Sequence, residues 1–545
     1  MKSKQNWYAQ AKTFSATLSL ALLGGACSDA GAANLLTQVD PSLLASQEQI
    51  KQWVADKAAF EHGFMPTGST AHRGYVDQLA GWMQNSCVSG FARDSFAYYD
   101  WQEQHMSLDL NYNNGKSKSI KIANYVAYSG ETDATGIQAP LMALPHPWVT
   151  SQGTVQLGNK AIADAIASYD VSGKIVVINI PKPYIPNVLL KSQMFSINDP
   201  QHTIPLVSAS AWLTGQGAVP QIEAALKAGH AAGMIAILPF NDPSATNMYA
   251  PFNGADAGLP GLYLDATTGF WVATQVRTGI AKTAKLVLQA NVNATASMDN
   301  LVATIPSNSS RTLIVSSHTD GSNAVEDNGP AAIQTLINYF CQVPQDQRPV
   351  TITVVMDGGH FAGNAGLKHY VQANSDSVSH ALAEIEVEHI GALDNQLQWN
   401  GKFKPTGKPS VTTITLSTLS KPPHDEALAY SNSVTPSILA PRSVLNFGAS
   451  GPFAKVAGLN VIQIIAGPNY LLSADWGNDV VLNQYIDYAA MRSQIQETAQ
   501  MILNLGNTPD ADYLLMVPDP TQKGAAKPAA TGPVKIDLEA MEEGP

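Results

Sequence analysis

Alternating strand and helix patterns dominate the second half of the chain. Short β-branched runs bounded by turn residues predict strands over 302–305, 312–316 and 350–356. Between them, apolar residues recur at helical spacing over 331–341, and a later apolar run over 460–465 predicts another buried strand. Strands that alternate with helices indicate an α/β fold with a mainly parallel sheet covered by helices.

The first half of the chain carries two other patterns. Residues 35–105 are typical of polar-faced helices, with Thr70 as a helix N-cap, and residues 108–127 alternate as strands do. Farther on, apolar runs over 173–178 and 233–238 enclose a short helical stretch. This order predicts a smaller mixed α/β unit.

These patterns divide the chain into segments. Its length of 545 residues suits two or three folded units. The final segment is rich in Pro, Ala, Gly and Lys, a composition that predicts disorder. We predict a signal peptide over 1–33, the first part of the main domain over 35–129, a smaller insert over 130–292, the main α/β domain over 296–507 and a disordered tail over 508–545.

The N-terminus has the order of an export signal. Three lysines precede the mostly apolar stretch 14–23, and small residues follow it. The small residues before Cys27 resemble a bacterial lipoprotein cleavage box, in which the cysteine is lipidated, whereas 30–32 offers an ordinary signal-peptidase site. We therefore expect export to the periplasm, the outer membrane or the exterior, with lipid anchoring at Cys27 and plain secretion both open.

Charge and hydropathy restrict the classes of binding partner that the chain can have. The net charge is −12 and no run of basic residues occurs, which argues against nucleic-acid binding. After the N-terminus, no apolar stretch approaches the ~20 residues that a membrane span needs. Only Cys87 and Cys341 remain beyond the signal, too few for a disulfide framework, and their pairing cannot be deduced from sequence.

Polar residues with metal-binding character follow the predicted strand at 312–316. His318 and Asp320 lie at its end, and a His followed two residues later by Asp suits a metal ligand with a carboxylate that orients it. The run Glu326-Asp327-Asn328 comes just before a helix, where a carboxylate can reach a cation at the sheet edge. Ligands bind beyond the carboxyl ends of the strands in such sheets.

In this order and between these elements, the two motifs resemble the HxD and (E)DNxSG signature of the zinc aminopeptidase and glutamate carboxypeptidase family. The smaller unit that precedes them is similar to the protease-associated domain inserted in such exopeptidases. The resemblance implies a zinc exopeptidase fold and two zinc ions that share a bridging Asp, matched by Asp327. One of these ions would also take His318 and a later acidic residue.

The later positions depart from the family pattern. The family has a general-base Glu followed by a ligand Glu, where this chain has His360 and Phe361. Glu388 matches the later acidic ligand, normally Asp, and Leu471 matches the last His. Phe361 and Leu471 cannot coordinate a cation, although His360 and His389 are alternative ligands.

The matched positions therefore allow one zinc ion at most, held by His318, Asp327 and Glu388. A catalytic zinc site needs about three protein ligands and an open position. His360 takes the general-base position, and an imidazole exchanges protons near neutral pH. We assign catalytic roles to His360 and Asp320, with Asp320 orienting His318.

Two classes of function remain open. One is a zinc exopeptidase that acts on peptides; the other is a catalytically inactive pseudo-peptidase that serves as a binding or scaffold protein. A serine hydrolase needs a Gly-x-Ser-x-Gly elbow, which the sequence around Ser450 lacks, and no GxGxxG dinucleotide motif is present. The sequence leaves open the choice between amino- and carboxypeptidase specificity, and also the oligomeric state.

Overall fold

The structure is a computed structural model. It describes residues 34–146, 151, 159–181, 184–185, 187–206, 208–209, 218–242, 244–251, 254–326, 328–446, 448–472 and 484–522. Within these ranges, no helix is long and apolar enough to cross a lipid bilayer.

The α-helices and β-strands are numbered in chain order. The helices are α1 Gln47–Ala58, α2 Thr70–Gln84, α3 Asn159–Ala167, α4 Asn187–Leu190, α5 Val219–Ala228, α6 Ala266–Arg277, α7 Gly329–Gln342, α8 Ala365–Ala373, α9 Ser375–Ser379, α10 Lys421–Ser433 and α11 Tyr488–Asn507. The strands are β1 Ser89–Tyr112, β2 Ser117–Ser119, β3 Asn124–Tyr125, β4 Ile137–Ala143, β5 Ile175–Asn179, β6 Tyr184–Ile185, β7 Ser196–Asn198, β8 Ser208–Ala209, β9 Gly233–Ile237, β10 Gly261–Leu264, β11 Ala281–Ile305, β12 Thr312–His318, β13 Thr351–Asp357, β14 Glu384–Glu388, β15 Leu393–Leu397, β16 Phe403–Pro409, β17 Thr412–Leu416, β18 Ser437–Pro441 and β19 Val461–Ala466.

Most of these strands join one mixed sheet. Its order is β3-β10-β9-β5-β4-β11-β13-β12-β14-β19-β17-β18-β7, with β1 pairing to β11 and β2 to β1. The four neighbours β13, β12, β14 and β19 run parallel, so their carboxyl ends meet at one edge. These strands are almost fully buried, as expected when helices cover both faces of a sheet. The α/β fold predicted from the sequence is confirmed.

The helical prediction for 35–105 was wrong after residue 84. The α2 helix ends at Gln84, and β1 then pairs antiparallel with β11 along nearly its whole length. The two strands lie about 200 residues apart in sequence. Because the stability of β1 comes from this distant partner, the local pattern of polar and apolar residues did not reveal it.

Buried apolar side chains form two large clusters. One surrounds α1, α2, α7, α11 and the parallel strands, and the other surrounds β5, β9 and β10. The long β1–β11 ribbon contributes to both, with Phe96 and Met298 in the first cluster and Leu110 and Leu286 in the second. The domain boundaries given above stay a prediction.

A disulfide bond joins Cys87, just after α2, to Cys341 near the end of α7. It closes a loop with a sequence separation of 254 residues. A crosslink over so long a loop restricts the unfolded chain and typically stabilises the fold by about 2–4 kcal/mol.

The prediction of disorder from residue 508 was wrong for residues 510–514 and 520–522. Asp510–Leu514 and Pro520–Gln522 form short 3-10 helices. The Tyr513 hydroxyl donates a hydrogen bond to the Leu505 carbonyl at the end of α11. This anchoring contact is tertiary, so composition alone did not predict it. Residues 523–545 lie outside the described ranges.

A buried glutamate on α5 gives the first testable prediction. Glu223 is 3% exposed, and burial, followed by the charge of Asp256, raises its pKa to about 8. The folded state therefore holds a proton that the unfolded chain releases near pH 4.5, and stability is lost as the pH rises from there towards 8. At pH 9, Glu223→Gln is expected to be more stable than the wild type by about 2–4 kcal/mol.

Thermal unfolding at pH 5 and pH 9 measures this effect. Glu223→Gln should narrow the gap between the two midpoints, whereas the matched change at exposed Glu131 should leave it unchanged. Equal gaps in the wild type and Glu223→Gln would mean that Glu223 is already ionised in the folded protein.

Candidate metal centre

Three adjacent parallel strands end in ionisable residues. His318, Asp357 and Glu388 are the last residues of β12, β13 and β14, and His318 pairs with Asp357 in the strand register. All three are 2% exposed or less. The sheet therefore brings together side chains that are up to 70 residues apart in sequence.

His318 is held by the turn that follows it. Its Nδ1 atom lies 2.8 Å from the main-chain oxygen of Asp320. A carbonyl oxygen only accepts hydrogen bonds, so Nδ1 carries the proton and Nε2 presents its lone pair. Burial first, and then the charge of His360, lowers the pKa of His318 to about 4. The imidazole is thus neutral at physiological pH, the form that binds metals.

Asp320 contacts His318 through both its main chain and its carboxylate. The Asp320 carboxylate lies 3.4 Å from His318 Nδ1, beyond the shorter contact made by its main-chain oxygen. Its Oδ2 atom also accepts hydrogen bonds from the Thr67 hydroxyl and from the main-chain N–H of Phe361. Burial alone would raise the pKa of Asp320, but the hydrogen bond with His318 and nearby imidazoles outweigh burial and lower it.

Glu388 faces His318 from the neighbouring strand. Its Oε1 atom lies 3.8 Å from His318 Nε2 and accepts a hydrogen bond from the Ala449 main-chain N–H. Burial, followed by the charge of Glu386, raises the pKa of Glu388 well above its usual value. This carboxylate is consequently held where a positive charge beside it would be stabilising.

His389 lies beside this pair. Its Nδ1 atom is 2.6 Å from the Ala466 carbonyl oxygen, which again leaves the lone pair on Nε2. His318, Glu388 and His389 each offer one ligand atom, and these atoms lie within 4.8 Å of one another. Burial lowers the pKa of His389 to about 3, so this imidazole is also neutral at physiological pH.

The two flanking positions from the sequence analysis differ in character. The His360 ring centroid lies 4.4 Å from that of His318, and its Nδ1 atom is 2.7 Å from Asn364 Oδ1. Phe361 is fully buried and packs edge-on against Tyr249, with ring centroids 5.5 Å apart. His360 thus faces the metal-ligand candidates, whereas Phe361 belongs to an apolar cluster.

Leu471 and Asp327 are the remaining positions that the sequence analysis matched to metal ligands. Leu471 is 4% exposed, and its main-chain oxygen accepts a hydrogen bond from the Asn323 amide. Asp327 lies outside the described residues. Its neighbour Glu326 has Oε1 4.0 Å from His389 Nε2, and Asn328 exchanges two hydrogen bonds with the main chain of Ile390.

Behind Glu388, two further glutamates follow the same face of β14. Glu384 and Glu386 are fully buried, and residues two apart in a strand point to one side. Glu384 accepts a hydrogen bond from Ser316, and Glu386 accepts one from Gln463. Ser450 is also buried, bonded to Arg442 rather than exposed as a nucleophile.

A cavity of about 890 Å³ opens onto this cluster. Glu326, His360, Glu388 and His389 are among the residues that line it. The remaining wall includes the β15–β16 hairpin and the apolar side chains of Val411, Ile438, Leu445 and Ile465. A volume of this size accommodates a small organic molecule or a short peptide.

The residues present fit a zinc ion. Two neutral imidazole nitrogens and one carboxylate oxygen are typical ligands of catalytic zinc. The Nε2 atom of His389 is buried, and the Oε1 atom of Glu326 lies 4.0 Å from it, beyond hydrogen-bond distance. A cation would satisfy this lone pair.

The sheet and the polar residues at its carboxyl edge define an α/β protein with a candidate metal centre. Comparison with solved structures specifies the fold further. The chain is similar to the peptidase M28 precursor from Shewanella amazonensis SB2B, at 13% identity over 87% of this chain and 98% of that one, with a TM-score of 0.58. BSAP, a zinc aminopeptidase from Bacillus subtilis, matches at 13% identity over 84% and 94%, with a TM-score of 0.55. An aminopeptidase from Aneurinibacillus sp. strain AM-1 matches at 13% identity over 86% and 95%, with a TM-score of 0.54.

These structures establish the zinc exopeptidase fold that the sequence motifs predicted. No family model matches the chain, and no curated protein matches it in sequence. The fold of this chain therefore resembles that of these proteins at a sequence identity of only 13%.

Proposed function

We propose that this chain is an exported metallopeptidase-like protein that binds at most one zinc ion and acts on peptides. The observation that carries this proposal is the buried group of His318, Glu388 and His389, of which Glu388 and His389 also line a substrate-sized cavity. The likeness of the fold to zinc aminopeptidases supports the choice of metal and of substrate class.

The chain's own residues would bind the metal and move protons. His318 and Glu388 would hold the ion, with Asp327 as the third ligand that the family resemblance implies. A bound zinc ion supplies activation of water and polarisation of a peptide carbonyl group. His360 would take a proton at Nε2, because its Nδ1 lies against the Asn364 amide oxygen. The cavity wall would hold the peptide beside these groups.

A second candidate function is a pseudo-peptidase that binds peptides without hydrolysing them. It is favoured by the burial of Phe361 and Leu471, which stand at positions that the resemblance assigns to metal ligands. A site reduced to one metal loses the second cation that stabilises charge in two-metal hydrolysis.

Metal removal distinguishes the two functions. The purified protein is expected to hold about one equivalent of zinc and to release nitroaniline from aminoacyl-nitroanilides. A chelator should abolish this release, and added zinc should restore it. Hydrolysis that survives metal removal would contradict the metal mechanism, and bound zinc without hydrolysis would favour the pseudo-peptidase.

We also propose that the protein is exported, with Cys27 as a candidate lipid anchor. The Cys87–Cys341 disulfide supports export, because such bonds persist in oxidising compartments. Mass spectrometry of the mature N-terminus tests this proposal. A diacylated Cys27 indicates anchoring, and cleavage near residue 32 indicates secretion.

A further inference from the structure

We propose that His389 is a metal ligand, so that the metal centre consists of His318, Glu388 and His389. This inference rests on the proposed metal binding, but it replaces the ligand set that the family resemblance implies. The ligand would be a divalent cation of the zinc type, bound through two imidazole nitrogens and one carboxylate oxygen.

The spacing of the three ligand atoms carries the first part of the argument. Ligand bonds of about 2.0–2.2 Å to a tetrahedral ion place ligand atoms roughly 3.3–3.6 Å apart. His318 Nε2 and Glu388 Oε1 are 3.8 Å apart, and all three atoms lie within 4.8 Å of one another. Side-chain shifts of about 1 Å would therefore complete the coordination sphere.

Both imidazoles are oriented by hydrogen bonds that they donate to main-chain carbonyl oxygens. The Nδ1 atom of His318 bonds to the Asp320 carbonyl, and that of His389 bonds to the Ala466 carbonyl. Metal-binding histidines commonly use such a bond to fix the tautomer and the ring orientation. The Nε2 atom of His389 is buried, so without a cation it lacks the hydration that an exposed imidazole receives.

The backbone at His389 explains how two consecutive residues point to one place. Successive residues of a strand face opposite sides, so Glu388 and His389 would diverge if β14 simply continued. His389 instead has φ of 54°, in the left-handed region that a non-glycine residue seldom adopts. Such a conformation costs about 1–2 kcal/mol and is concentrated at functional sites.

His389 also compensates for the two positions at which this chain lacks the metal ligands that the family resemblance implies. Phe361 and Leu471 are buried, stand where the resemblance places two ligands and offer no donor atom, whereas His389 places a nitrogen near Glu388. Three protein ligands are then present without any contribution from Asp327. This count is what a zinc site with an open position requires.

Zinc titration of three metal-free variants tests the inference. His389→Asn keeps an amide N–H near the position of Nδ1, tolerates the left-handed backbone and removes Nε2. It is expected to weaken zinc binding at least about 100-fold, since even outer partners of zinc ligands contribute 10–100-fold. Asp327→Asn should change the affinity by less than about 10-fold, and His380→Ala, at an exposed helix end, should not change it.

Calorimetry gives the affinity, and the visible spectrum of the cobalt-substituted protein reports the ligand set. A changed cobalt spectrum in His389→Asn supports direct coordination. Wild-type affinity and spectrum in His389→Asn, together with lost binding in Asp327→Asn, would overturn this inference and leave the proposed function intact. Absence of zinc binding by the wild type would refute both.

Discussion

His318→Ala is expected to abolish zinc binding and to lower peptidase activity more than about 100-fold. His318 is fully buried at the end of β12, and its Nε2 lies 3.8 Å from Oε1 of Glu388, which lines the cavity. Removal of the imidazole leaves the site with too few ligands for a catalytic metal. Metal analysis and aminoacyl-nitroanilide hydrolysis measure the two effects side by side.

Two controls separate this effect from unfolding. His318→Asn retains a side-chain N–H that can reach the Asp320 carbonyl, so it should fold as the wild type does and still lose the metal. His369→Ala, on α8 and partly exposed, should retain both metal and activity. Full zinc occupancy in well-folded His318→Ala protein would place the metal elsewhere in the chain.

Phe361→Ala is expected to lower the free energy of unfolding by about 3–5 kcal/mol. The Phe361 ring is fully buried and packs against Tyr249, His318 and His360. Truncation to alanine removes the apolar contact and leaves a cavity that the surrounding side chains cannot fill. Denaturant unfolding gives the change directly.

Phe361→Leu retains much of the volume and should cost less than about 1.5 kcal/mol. Phe270→Ala, at a half-exposed position on α6, should fall within about 0.5 kcal/mol of the wild type. A small effect of Phe361→Ala would show that the ring is not part of the core. It would then weaken the view that a ligand position has become a packing position.

The sequence predicted the fold from patterns that are local. The apolar runs of β12, β13 and β19 and the helical spacing of α7 are visible in short windows. The strand at the end of 35–105 escaped prediction because β1 is stabilised by β11, far away in sequence. A local sequence pattern predicts an element reliably only where local interactions also stabilise that element.

The burial of both faces of β14 is likewise not predictable from its local sequence pattern. Its alternation of glutamate with Ile385 and Val387 is typical of a strand with one solvated face. The structure buries both faces, with Glu384 and Glu386 bonded to Ser316 and Gln463. The partners of a buried carboxylate come from neighbouring strands, so they appear only once the sheet is assembled.

By itself, the sequence determined the fold class, the order of the two motifs and the apolar identity of Phe361 and Leu471. These properties depend on residue type and spacing along the chain. The tertiary structure alone decided that His389 stands beside Glu388 and that Phe361 packs into the core. The reason is geometric: side-chain direction at a strand end depends on one backbone angle and on carbonyl groups from other strands, neither of which is encoded in a local pattern.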